Sequence, residues 1–249
     1  MNGKKQKSLI KITTLAICIL LSLFSVGIKN GLFQFDSRSS SDHMHAKSGQ
    51  LWKELDKPVD DSDAPPAGTV RLSGTDSLGR SRVACANITS KMVDDSKGWR
   101  AKMPPEDPPG WGRNKICEIK FKDRVYRGYF WNRSHLIADS LGGYNNVTGF
   151  SEVKNLITGT RCQNVGDNTG DGGMQHFERL AVNFIEKNPS ATLYYKATPV
   201  YKNQELIPRY VNVEMKSSDG KLEVSGRVYN KAPGYKINYS TGEFKKVQS

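Results

Sequence analysis

The chain has 249 residues, enough for one full domain and a targeting segment but short for two independent cores. Lys and Arg outnumber Asp and Glu by 37 to 25; residues 1–29 hold five of those lysines and no acid, so the remainder still carries 32 against 25, or +7. A basic domain suits a polyanionic partner, whether nucleic acid or anionic cell envelope, although solubility alone gives the same balance. The absence of a CxxC pair or close Cys/His cluster argues against a structural zinc site, and no Gly-rich nucleotide loop or internal repeat occurs.

In chain order, residues 1–29 read as an export signal. Lys4, Lys5 and Lys7 precede a run from Ile12 to Ile28 without a charge, closed by Lys29. Its length lies between the core of a cleaved signal peptide and a full membrane span, and no clear small-x-small site follows, so an uncleaved anchor with the N-terminus inside and a cleaved signal both fit. From 30 to 68 the composition is polar and rich in Ser, Asp and Pro, as in a tether. Within it, Trp52 and Leu55 are candidates to dock onto the domain, which is expected over 69–249. Cys85, Cys117 and Cys162 are an odd number in the exported part, and their pairing is not decided by sequence.

VRLSG and Val83–Ile88 read as strands, and MPPEDPPGWGRN, with its prolines and glycines, as an irregular loop. EIKFKDRVYRGYFWNRSHL alternates apolar and polar residues around a turn at KD, as a hairpin does, and ends on a histidine. KNLITGTRCQNVGDNTGDGG reads as a polar loop. Met174, Phe177, Leu180, Ala181, Phe184 and Ile185 recur at helical spacing until Asn188-Pro189 closes the helix. Four Val-, Tyr- and Ile-rich segments follow as antiparallel strands, so the class is α+β.

Of four histidines, His43 and His45 lie in the tether and His176 on the polar side of the helix, which leaves His135 as the one well-placed general base. Arg133, two residues earlier, projects to the same strand face and could fix a phosphate oxygen, or form an ordinary surface ion pair. The polar loop offers Asn155, Arg161, Gln163, Asn164, Asp167, Asn168 and Asp171; an Asn oxygen is a hard, neutral ligand suited to Mg²⁺. DNTGDGG lacks the full spacing of a calcium loop. Glu178 lies at the rim of the helix's apolar stripe, where an acid can reach inward.

YFWNRSHLIADSLGG, then KNLITGTRCQN, then GGM followed by FE resemble the DNA/RNA non-specific endonuclease family with the ββα-metal fold. Within it they are most similar to the streptococcal-type branch of cell-surface DNA-entry nucleases and secreted streptodornases, over about Arg71 to Lys202. The resemblance implies an antiparallel sheet with an inserted catalytic hairpin and helix. His135 would be the general base, with Arg133 near the scissile phosphate. Asn164 would be the direct protein ligand of a single Mg²⁺, for which Mn²⁺ could substitute, Asn155 a supporting residue, and Glu178 an acid holding metal-bound water. Arg161, apart from what the resemblance implies, is a further candidate phosphate contact. The family's broader motif is Asp-Arg-Gly-His where this chain has Asn132, Arg133, Ser134 and His135, which removes any role for an acid at the first position. The activity implied is hydrolysis of DNA and RNA outside the cell, secreted or on the outer face of the membrane, leaving 5′-phosphate ends. A non-catalytic, membrane-anchored nucleic-acid receptor is the rival reading; oligomeric state is not legible.

Overall fold

In the computed structural model the structure describes residues 50–98, 102–121, 124–144, 152–167 and 172–247. The expected export signal and the first part of the tether lie outside them. Among the described residues, no helix is long and apolar enough to cross a membrane.

The main sheet has six antiparallel strands in the order β1-β10-β9-β8-β3-β2. These are β1 (Trp52–Glu54), β2 (Val70–Leu72), β3 (Ala84–Ile88), β8 (Leu193–Val200), β9 (Tyr210–Ser217) and β10 (Glu223–Tyr229). One face is apolar because alternate residues of each strand point to it: Ala84, Ala86 and Ile88, then Leu193, Tyr195 and Ala197, then Val211, Val213 and Met215. Against that face packs α3 (Gly173–Lys187) through Met174, Phe177, Ala181 and Ile185, the periodicity expected from the sequence. Phe177 sits where a Cβ on Gly226 of β10 would be, 2.3 Å from its ring, so a side chain there would push the helix off the sheet.

The other face is covered by the chain that precedes β2. Val59 packs with Cys85 and Tyr194. Lys57 pairs with Glu214 at 2.8 Å, Lys216 with Asp61 at 2.9 Å, and Lys196 with Asp63 at 3.2 Å. Such exposed pairs are individually weak, and here they fix the path of a strap. The tether expected over 30–68 thus differs from the structure in its second half. Its polar residues pair with a charged sheet face, and β1 adds an edge strand against β10. Trp52 does dock, stacking on His176 of α3 with ring centroids 4.0 Å apart.

Three two-stranded ribbons project from this frame: β4 (Ile116–Lys120) with β5 (Val125–Tyr129), β6 (Trp131–His135) with β7 (Leu156–Thr160), and β11 (Tyr235–Ile237) with β12 (Phe244–Lys246). A second apolar cluster, with Ile119, Phe130, Trp131, Cys162 and Ile207 at its centre, seats them. Two short helices complete the fold, α1 (Ser90–Asp95) and α2 (Arg161–Val165). The three described cysteines are free thiols.

Candidate active site

β6 and β7 pair from Trp131↔Thr160 to His135↔Leu156, so His135 closes one end of a short ladder. The chain then turns through Leu136 and Ile137, both fully buried, into a single 3₁₀ turn at Asp139–Leu141. That turn packs on α3. It brings Asp139 Oδ1 to 3.5 Å from His135 Nε2, with the two side chains only 14% and 20% exposed. Burial lowers the His135 imidazole below its ordinary 6.5, and Asp139 opposes the shift. The ring is therefore neutral at pH 7 and able to accept a proton.

Glu178, six residues into α3, is half-buried on the same side. Burial, and then the Asp139 charge, push its carboxyl up to about 8. Its field in turn adds to the rise of the fully buried Tyr195 hydroxyl on β8. His135 and Glu178, from two elements, are thus both shifted by burial and by the Asp139 charge in a poorly solvated place, a frequent mark of a functional site.

Asn155 is fully buried and its side chain is spent on the backbone of the turn. Its Oδ1 accepts from Ile137 N at 2.9 Å, and its Nδ2 donates to Ile137 O at 2.8 Å and Gly143 O at 2.7 Å. These three bonds close the loop that follows His135 and fix where Asp139 stands. Gly143 is dictated by this closure: a Cβ there would lie 1.8 Å from the Ile137 carbonyl oxygen.

Asn164 lies on α2, a helix that the polar composition of its segment hid. Thr160 caps it by accepting from Gln163 N at 2.9 Å, and the T-x-x-Q spacing is the signal that could have found it. The Ser134 hydroxyl donates to Asn164 Oδ1 at 3.2 Å, which ties α2 to β6. Where α2 meets α3 the backbones touch: a Cβ on Gly173 would lie 2.5 Å from Gly166 N. This contact accounts for the glycines of the GGM motif. Gln163 is buried beside Asn164, over Gly159, with both amide atoms lacking a hydrogen-bond partner among the described residues.

The remaining expected residues are placed elsewhere. Arg133 is engaged by Asp107, with Nε and Nη2 at 2.8 and 2.5 Å from one carboxylate oxygen, and its guanidinium lies 5.4 Å over the Trp111 ring. Arg161 follows Thr160 and so stands at the ladder's opposite end from His135, 5.2 Å over the Tyr126 ring. Sequence reasoning missed Asp139, although it lies within the motif segment, because an acid beside a turn has no distinctive pattern.

A histidine-ended antiparallel ribbon followed by a short helix and a long helix bearing an acid defines a ββα-metal nuclease fold. The chain belongs to the DNA/RNA non-specific endonuclease family, whose model matches residues 59–248. A deoxyribonuclease from Streptococcus dysgalactiae subsp. equisimilis is 37% identical over 196 residues, 67% of this chain and 58% of that relative's length. The Sda1 nuclease, in a structure with bound zinc ion, aligns at a TM-score of 0.73 and 33% identity, covering 81% of this chain and 97% of that one. NucA from Streptococcus agalactiae, in a structure with magnesium ion bound, shares the fold at a TM-score of 0.59 and 24% identity, covering 72% of this chain and 77% of that one.

Proposed function

We propose that this chain is a metal-dependent, sequence-nonspecific endonuclease that hydrolyses DNA and RNA outside the cell with His135 as general base. The observation that carries the reading is a neutral, buried His135 held beside Asp139 and Glu178 by the Asn155-closed turn.

The donor set suits a hydrated divalent cation. Burial and the Asp139 charge raise the cost of ionising Glu178, which a nearby positive charge relieves, and Asn164 offers a neutral oxygen. Among the described residues no three His, Cys, Asp or Glu side chains converge as a metal cage. Mg²⁺ does not require one, because it keeps most of its waters and binds through one or two protein oxygens. Asn164 would hold the ion directly and Glu178 through water, with Mn²⁺ able to take the place of Mg²⁺. When bound, such an ion supplies the charge that stabilises the developing phosphorane and the departing oxygen.

The protein's own contribution is positional. The neutral His135 ring accepts the proton of the attacking water, and Asp139, 3.5 Å from Nε2, stabilises the imidazolium that results. Asn155 acts through the backbone, holding residues 137–143 so that the pair keeps its spacing. In this reading Arg133 reaches a phosphate only by exchanging Asp107 for substrate, and Arg161 is farther from the chemistry. Products carry 5′-phosphates. Export follows from the lysine-flanked apolar run at 12–28, as a membrane anchor or a cleaved signal.

The test is plasmid cleavage by the purified chain, with fractionation of the native protein between membrane and medium. Cleavage with Mg²⁺ that stops with EDTA is expected. Salt-sensitive DNA binding with no cleavage in any divalent metal would instead identify a receptor.

A further inference from the structure

Away from His135, a cavity of about 620 Å³ opens between the segment leading into β4 and the β11–β12 ribbon. Arg113, Lys115, Lys236 and Lys245 surround it, and Ile237 and Phe244 form an apolar part of its wall. All four cations are exposed, and none forms an ion pair among the described residues. Glu243 is the one carboxylate on the wall.

The ribbon carries a second, independent observation. Lys236 and Lys245 are direct cross-strand partners, and the next pair, Tyr235↔Lys246, adds a further cation. Like charges directly opposite one another destabilise a two-stranded ribbon, so the arrangement costs stability unless an anion lies across it. Here the backbone is anchored beneath: Phe244 stacks on Phe130 at 3.8 Å, and Trp131 Nε1 donates to Gly242 O at 2.9 Å. The lysines are therefore held on a rigid base.

The cavity is also joined to the ladder that carries the proposed base. Residues 107–115 run from Asp107 and Trp111, which touch Arg133, to Arg113 and Lys115. On β6, Trp131, whose indole donates to Gly242 in the loop joining β11 and β12, and His135 are four strand steps apart, roughly 13 Å. Duplex DNA advances about 3.4 Å along its axis per phosphate of one strand, so the two ends of this ladder can meet different phosphates of one bound strand.

We propose that this cavity is a distal phosphate-backbone subsite, in which Lys236 and Lys245 with Arg113 and Lys115 hold nucleic acid away from the bond being cut. The inference rests on the nuclease reading for its ligand class. The apolar wall suits a sugar or base edge between the cations.

The experiment compares the wild-type chain with Lys236→Glu/Lys245→Glu, and with the milder Lys236→Gln/Lys245→Gln, binding a labelled duplex in EDTA across a salt titration. Expected is about a tenfold loss of DNA affinity for the Glu pair, a smaller loss for the Gln pair, and a log-affinity against log-salt slope shallower by roughly two, one per phosphate contact removed. Plasmid hydrolysis should then show a raised KM with kcat held. Unchanged DNA affinity and slope would overturn the proposal. So would a loss confined to binding of inorganic polyphosphate, which would assign the surface to another polyanion. Hairpin-dependent DNA binding by a wild-type chain that cleaves nothing would support the subsite while refuting the nuclease reading.

Discussion

At the His135 end of the β6–β7 ladder, His135, Asp139 and Glu178 stand close together with their charges poorly solvated. At the Trp131 end, the buried Asn230 is matched: it accepts from Thr160 N at 2.8 Å and donates to Thr158 O and Pro208 O at 2.9 and 3.0 Å, while Asn114 brackets the Trp131 backbone. Both ends are needed to hold the ribbon. The difference is that these neutral amides have no protonation state to change, whereas the shifted His135 and Glu178 do. Burial of polar residues therefore marks structure at one end of the ladder and chemistry at the other.

Substitutions at the two ends should separate activity from stability. His135→Ala should lower kcat roughly a thousandfold with the fold retained, within the usual range for a general base, and plasmid hydrolysis beside a thermal melt checks both. Glu178→Gln should cost on the order of a hundredfold, as for groups that orient metal-bound water. Without metal it should have a second effect. The wild-type Glu178 keeps its proton up to about 8 in the folded chain, against an ordinary 4.5 when unfolded, so wild-type stability falls as pH rises between those values. The Gln variant escapes that fall, and its melting temperature should overtake the wild type's towards pH 8. A parallel decline in both proteins would contradict the burial of this acid.

Asn155→Ala and Asn230→Ala form the controlled pair. Each removes three buried hydrogen bonds and should cost about 2–3 kcal/mol, lowering Tm by roughly 5–10 °C. Only Asn155→Ala should also reduce kcat in the protein that remains folded, because only its loop carries Asp139. Equal kcat losses would erase the distinction between the two ends. The smallest effect is expected for Arg161→Ala, under about threefold on kcat, since its guanidinium faces Tyr126.

Much of the frame was legible because it rests on periodicity. The stripe from Met174 to Ile185 gave α3, and the alternation around Lys122-Asp123 gave the β4–β5 ribbon. The long strands β8 to β10 follow from their β-branched and aromatic content. What stayed hidden is short or set by distant partners. Five residues of α2 are too few to show a helical period, and its cap was the only local clue. The strap over 57–63 looked like a tether because its acids find their lysines more than 130 residues away, on β8 and β9. In the site, His135 and Glu178 could be singled out by residue type and face. That Asn155 faces backbone and that Asp139 stands beside the imidazole depend on how the turn closes, which no spacing encodes.

The most direct test of the buried base is the pH dependence of kcat/KM on plasmid DNA at saturating Mg²⁺. Burial lowers His135 below 6.5, so activity should hold through neutral pH and fall on the acid side with a midpoint under that value. A midpoint at or above 6.5 would mean a solvated or anion-stabilised imidazole, and would contradict the account.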